Sequence, residues 1–358
     1  MDNNTRNMLK ELTTADGVPG FETEVRAVIK KHMAPAAALE TDNMGNLICK
    51  KVGDPNGPAV MIPGHMDEIG FMVKLITKEG FLKFSPLGGW FDQVLLSQRV
   101  TVKGRKGDIV GIVGSKPPHL LSPEERGKIV RKSDMFVDVG ASSDKEVERK
   151  LGIRVGDPIV PDAPFVRMKN PKLLMAKAWD DRVGCGMFMS TIKRLQRQKH
   201  PNVLYGVGTV QEEVGTRGAK VAKNLVNPDV CIVAESGIAG DTPGIKPEEG
   251  QGKLGGGPIL YLLDGGMIGH VKLRDLVMDT AKKARVKLQV GVLEGGATDG
   301  REIHVHDRGV PTVFIGVPVR YIHSHVGILN TDDYDNTIKL LVAVVKRLDD
   351  RTVKRLNG

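Results

Sequence analysis

The sequence predicts an α/β protein with a second, β-rich unit set into it, on three observations. Four apolar runs end in polar residues able to carry chemistry: AVMIPGHMDE at 59–68, VLYGVGTVQEE at 203–213, DVCIVAES at 229–236 and TVFIGVPVRYIHSH at 312–325. Their apolar character is continuous, not alternating, as in strands covered on both faces by helices. From about residue 69 to 167 the texture changes to short, glycine-punctuated, partly alternating runs, which predict a small β-rich domain interrupting the α/β pattern.

The helical elements follow in order. FETEVRAVIKKHM comes after a GVPG turn, GCGMFMSTIKRLQRQ after the aspartates at 180 and 181, and LRDLVMDTAKKARV before another apolar strand. The last, DDYDNTIKLLVAVVKRL, opens with acidic residues suited to a helix N-terminus and repeats apolar residues at Ile338, Leu341, Val345 and Leu348. Within the insertion, SKPPHLLSPEERGKIVRKSD reads as a mobile loop. The cluster GQGKLGGGP at 250–258 lacks the GK[ST] ending of a phosphate loop and reads as a flexible connection. The domain division is therefore 1–68 with 168–358, and 69–167 inserted between them.

Composition narrows the function. The net charge is +9, yet aromatics make up only 4% and the basic residues form no dense block, so a nucleic-acid surface is not expected. No apolar stretch approaches the roughly 20 residues that span a bilayer, and the N-terminus lacks a leader pattern. Cys49, Cys185 and Cys231 are far apart and match neither a disulfide framework nor a metal knuckle. A cytoplasmic protein is expected.

The chemistry sits at the strand ends, where α/β sheets bind ligands. In GHMDE, His65 and Asp67 point to one side of an extended segment, and a carboxylate beside an imidazole is the usual support of a metal-bound histidine, although such pairs also occur for structural reasons. Asp180 and Asp181 stand between an apolar strand and a helix; an N-cap uses one aspartate and leaves the other free. Glu212 and Glu213 are adjacent, and two carboxylates at a strand end need an offsetting charge. One can bind metal while its neighbour faces water. Together His65, Asp180, Glu213, Glu235 and His323 offer two imidazoles and three carboxylates, a donor set for zinc, cobalt or manganese, and the charge count favours two ions. His304 and His306 mimic an HxH pair but suit an ordinary surface equally well, and His325 reads as a residue lining the site.

GHMDEIGFMV, AWDDRVGCG, VQEEVGTRGA, IAGDTPG and RYIHS resemble, in order and spacing, the motifs of the TET-type dinuclear metallo-aminopeptidases, the glutamyl and deblocking aminopeptidase family. The resemblance implies a three-layer α/β/α catalytic domain of the phosphorylase/hydrolase-like, zinc-peptidase type, with an inserted β-barrel-like dimerisation domain and dimers assembling to a tetrahedral dodecamer that admits short peptides. It also implies that two divalent ions are held by His65 with Glu235 and by Glu213 with His323, bridged by Asp180. Asp67 would then orient His65, Asp181 would complete a cis Asp-Asp bond, and Glu212 would be the general base for a metal-activated hydroxide. EGGATDGRE at 294–302 matches a family loop near the substrate, which makes Thr298, Asp299 and Arg301 candidates for specificity. Glu235 stands where many of these aminopeptidases have aspartate, so a carboxypeptidase-type exopeptidase stays open. A cellulase-like glycoside hydrolase is the alternative from another class, since it too uses paired carboxylates. A metal-stabilised binding protein is the non-enzymatic one.

Overall fold

The computed structural model describes residues 1–357. An 11-stranded mixed sheet forms the larger unit. Its centre is parallel: Val203–Thr209 lies beside Ala59–His65, then Val230–Ile238, then Thr312–Arg320. These are the four apolar runs of the sequence, and their residues are almost all buried. Antiparallel strands extend both flanks, with Leu47–Val52 and Ala38–Thr41 on one side and Gly327–Asn330, Leu173–Ala176 and Val166–Arg167 on the other.

Alternation along the strands divides the core. Val60, Ile62, Ile232, Ala234, Val313 and Ile315 face one layer, formed by helices Asn3–Thr14, Thr23–Met33, Trp179–Leu195, Val271–Ala284 and Thr331–Val345. Met61, Val207, Cys231, Val233 and Phe314 face the other, where Arg217–Val226 and the short helix Gly300–Ile303 pack. The result is three layers, α/β/α. Cys49, Cys185 and Cys231 are buried and unpaired, and no helix among the described residues is long and apolar enough to cross a membrane.

The second unit is a closed six-stranded barrel. Its order is Gly70–Ile76, Leu82–Leu87, Phe136–Asp138, Gly107–Gly114, Arg99–Gly104 and Pro158–Pro161, the last pairing back onto the first. Closure removes the open edges that short strands would otherwise expose. The barrel has its own core, in which Phe71 stacks on Trp90 with ring centroids 4.9 Å apart. The segment at 115–134 carries short helical turns, Pro118–Leu120, Pro123–Arg126 and Lys132–Asp134, the second held by a capping box between Ser122 and Glu125.

The glycine cluster at 250–258 is pinned, contrary to its reading as a flexible connection. The Asp333 carboxylate, in the first turn of Thr331–Val345, accepts N–H bonds from Gly255 and Gly257, both at 2.7 Å. Composition cannot reveal such a tether, because its partner is about eighty residues away in the chain.

Candidate active site

The parallel strands deliver their C-terminal residues to one place. His65 ends Ala59–His65, Glu235 lies within Val230–Ile238, Glu212 and Glu213 follow Val203–Thr209, and His323 follows Thr312–Arg320. Asp180 and Asp181 open helix Trp179–Leu195 across a cis peptide bond. Asp181 is fully buried and holds the local backbone: its carboxylate accepts from the N–H groups of His65 at 3.0 Å and Gly184 at 2.9 Å.

Asp180 stands between the two imidazoles. Its Oδ1 is 3.1 Å from His65 Nε2, and its Oδ2 is 3.3 Å from His323 Nε2. Glu235 Oε2 is 3.6 Å from His65 Nε2, and Glu213 Oε1 is 3.7 Å from His323 Nε2. One donor atom each from His65, Asp180 and Glu235 lie within 4.8 Å of one another, and so do one each from Asp180, Glu213 and His323. Glu212 belongs to neither triad, although its Oε2 is 3.9 Å from His65 Nε2.

The far nitrogens of both histidines are committed. His65 Nδ1 bonds the main-chain oxygen of Asp67 at 3.0 Å, with the Asp67 carboxylate 3.5 Å away. His323 Nδ1 bonds the carbonyl oxygen of Gly89, in the loop after barrel strand Leu82–Leu87. A carbonyl acceptor places the ring proton on Nδ1 and leaves Nε2 as a lone-pair donor.

How two adjacent glutamates can sit here is answered by Asp67. Its buried carboxylate accepts the Glu212 N–H on Oδ1 at 3.0 Å and the Glu213 N–H on Oδ2 at 3.1 Å. The preceding residue, Gln211, has a left-handed φ of 55°, and its N–H donates to Glu22 Oε1 at 3.1 Å. Glu22 is itself buried ahead of helix Thr23–Met33. Two carboxylates from distant segments thus grip three consecutive amides.

Negative charge is crowded. Burial raises Glu212 well above the usual carboxylate range; His65 opposes this, and Asp299, Glu235 and Glu213 reinforce it. Burial and then Asp181 raise Glu235, and burial with Asp180 pushes Glu213 up to about 8. Burial works against ionised Asp180 too, but hydrogen bonds from His323 and His65 outweigh it and hold it down. Burial disfavours charged imidazoles, yet Glu235 and Asp180 raise His65, and Asp180 with Glu213 takes His323 to about 10. Without added cations, protons must balance this charge. Glu213 Oε1 is moreover buried with no hydrogen-bond partner among the described residues. Nitrogen and oxygen donors in two triads, surplus negative charge and an orphaned oxygen together fit divalent metal.

A family model described as M42 glutamyl aminopeptidase matches residues 45–340. The chain belongs to that family. This M42 chain is 37% identical to the glutamyl aminopeptidase of Lactococcus lactis subsp. cremoris over 98% of both chains. It is 34% identical to the lysyl aminopeptidase of Pyrococcus furiosus over 95% of this chain and 96% of that one. Among solved structures, a TET aminopeptidase from a marine sediment Thaumarchaeota archaeon superposes with a TM-score of 0.97, at 46% identity and 99% coverage of both chains. The Pyrococcus horikoshii TET1 peptidase, described as assembling into a tetrahedron or a large octahedral shell, gives 0.87 at 31% identity, over 96% of this chain and 100% of that one. The M42 chain is a peptide-bond hydrolase.

The remaining candidates lie as follows in the M42 chain. Thr298 lines the cleft beside the triads. Asp299 is buried and accepts from the Thr209 hydroxyl. Arg301 is exposed and does not line the cleft, because it projects from the surface of the short helix Gly300–Ile303. His304 bonds the carbonyl of Gly300 and His306 the side chain of Asn227, and neither joins a triad. His325 packs against Trp90 with centroids 5.3 Å apart and does not line the cleft, where it was expected.

Sequence reasoning missed Glu22, Gly88 and Gly89. A Cβ at Gly88 would sit 3.0 Å from Glu213 Oε2, and one at Gly89 3.1 Å from His323 Nδ1. The GG pair was visible in FSPLGGW, but nothing local says what it approaches. Glu68 was also missed: it lies buried against Lys177 and Arg182, and Lys177 reaches Asp16, which also pairs with barrel residue Lys103 at 3.0 Å.

Proposed function

We propose that the chain is a dinuclear metal-dependent aminopeptidase that releases N-terminal residues from short peptides, with Glu212 as general base. The observation that carries this reading is the pair of donor triads sharing Asp180, with Glu212 in the same cleft and part of neither. His65 with Glu235 would hold one divalent ion, His323 with Glu213 the other, and Asp180 would bridge. Bound there, the pair would supply Lewis acidity toward a carbonyl oxygen and acidify water.

The chain's own groups do the rest. Glu212 takes a proton from the attacking water and returns it to the nitrogen of the leaving amine, so that the C–N bond breaks without expelling an amide anion. Burial raises its affinity for that proton. Asp67 fixes the direction of Glu212 through the peptide N–H, and the carbonyls of Asp67 and Gly89 hold the two imidazoles. Attack at the N-terminus follows the named activities of the relatives. Those names point to opposite side chains, glutamyl and lysyl, so the reaction transfers to this chain and the side-chain preference does not.

Replacing Glu212 with glutamine keeps size and removes the base. Metal content by elemental analysis should stay unchanged while kcat falls about 10²- to 10⁴-fold. A variant with full activity would sink the assignment, and loss of metal would make Glu212 a ligand. For assembly, the barrel is the self-association unit of this proposal: Val110 and Ile112 of strand Gly107–Gly114 expose 63% and 44% of their surface, as does Phe91 at 58%. Light scattering of a Val110→Glu/Ile112→Glu variant should show smaller particles than the parent protein.

A further inference from the structure

The triads occupy one wall of a cleft of about 360 Å³ whose other walls carry no charge. Tyr261 and Phe314 form its floor, stacked with centroids 4.4 Å apart and 21° between planes. Ile238, Leu293 and Ile322 add apolar surface, and Gly295 and Gly296 contribute main chain without bulk. The polar end of Tyr261 is occupied, because its hydroxyl accepts the N–H of Ile238 at 2.9 Å. Two glycines seat the ring: a Cβ at Gly291 would lie 3.0 Å from Tyr261 Cε1, and one at Gly237 3.3 Å from Tyr261 Cε2.

Apart from the metal triads and Glu212, no Asp, Glu, Lys, Arg or His lines this cleft among the described residues. The nearest acid in sequence, Glu294, is exposed and not part of the wall. Asp264 is buried behind Thr298, whose hydroxyl donates to it at 3.3 Å.

We infer that this cleft receives the side chain of the substrate's N-terminal residue and selects neutral aliphatic or thioether side chains, such as leucine, isoleucine and methionine, over acidic and basic ones. The inference rests on the aminopeptidase reading. A glutamyl carboxylate entering here meets no cation reserved for it, and a lysyl ammonium meets no free carboxylate beyond those occupied with metal and catalysis. Either would be desolvated without a partner. An aliphatic chain instead buries methylenes against Tyr261, Phe314, Leu293 and Ile238. Each methylene is worth a few-fold in rate, so leucine should exceed alanine by about 10- to 100-fold. Charged side chains should fall about 100-fold or more below leucine.

The test is kcat/KM of the metal-reconstituted full-length protein on tripeptides differing only in their N-terminal residue: leucine, methionine, alanine, glutamate and lysine. Leu293 is only half-buried at the wall and should accept charge, so Leu293→Lys and Leu293→Glu are assayed alongside. Lysine there should raise the glutamyl-to-leucyl ratio at least tenfold, and glutamate should do the same for lysyl. Metal-restored cleavage that ranks glutamate or lysine first overturns the pocket assignment and leaves the hydrolase reading standing. Ratios unmoved by both Leu293 variants overturn the assignment as well. No metal-restored release from any peptide removes the aminopeptidase reading and the inference together.

Discussion

Replacing Asp67 with asparagine turns one oxygen of a buried carboxylate into an NH₂ group where two backbone N–H groups converge. The wild-type carboxylate accepts from Glu212 at 3.0 Å and from Glu213 at 3.1 Å, one on each oxygen. Asparagine keeps one acceptor. The other N–H then faces a donor and is left unpaired, which costs about 1–3 kcal/mol, while the surviving bond falls from a charged acceptor to a neutral one and loses about 1 kcal/mol more. The sum is about 2–4 kcal/mol. Removing a negative charge near Glu22 and Glu213 works in the opposite direction, so the comparison belongs on metal-loaded protein, where bound cations balance that charge. Urea unfolding gives the stability difference, and kcat at saturating peptide gives the catalytic one. A glutamate pair released from its grip misplaces the base by a fraction of an ångström to an ångström, which costs up to about 100-fold in rate. If Asp67→Asn unfolds within 0.5 kcal/mol of the parent, roughly the scatter of surface substitutions, and keeps its kcat, the clamp explanation of the adjacent glutamates is wrong.

Three more outcomes follow from the same geometry. His323→Ala removes a donor from only one triad, so elemental analysis after dialysis should find one metal retained and one lost; two retained would exclude His323 as a ligand. Gly88 has φ +87°, and an added Cβ would lie 2.6 Å from Ile69 Cγ2 and 3.0 Å from Glu213 Oε2. Gly88→Ala should therefore lower stability by about 1 kcal/mol or more and weaken metal retention, whereas unaltered metal affinity would show that the barrel loop does not press on Glu213. Glu22 is raised from 4.5 to about 7, by burial and then by Asp67. A raised acid means that the folded state binds the extra proton, so stability falls as pH climbs from about 4.5 to about 7, by no more than about 3 kcal/mol. Glu22→Gln should flatten that part of the stability curve in urea melts at pH 5, 6, 7 and 8; an unchanged slope would rule out Glu22 as its source.

What could be read in advance was whatever lies in a short window. The four continuous apolar runs became the parallel centre of the sheet, and because parallel strands all point one way, their polar tails had to meet. That is why His65, Glu213, Glu235 and His323 could be grouped; Asp180 instead follows the flanking strand Leu173–Ala176, where the spare aspartate of the pair marked it. Contacts made across the chain were not legible. Asp67 was expected to orient His65 through its carboxylate, but its carbonyl takes the Nδ1 proton and the carboxylate serves the glutamate amides, a division that two-residue spacing cannot specify. Glu22 meets Gln211 across nearly two hundred positions, and Asp333 ties down Gly255 and Gly257 from a helix in the last part of the chain. Arg301 was placed near substrate because it lies in a loop that does reach the cleft through Thr298; one helical turn is enough to carry it to the surface.

The bond from His323 Nδ1 to the carbonyl of Gly89 joins an imidazole of one unit to the main chain of the other. Because the acceptor is a peptide oxygen, side-chain replacement at position 89 does not delete it, and only displacement of the loop does. Any tilt of the barrel about its two connecting segments is thus transmitted to the ring as a change in the length and direction of that bond, and so in where Nε2 points. The barrel's position is in effect written into the orientation of a site histidine, where the ¹⁵N chemical shift of Nδ1 can report the strength of that bond.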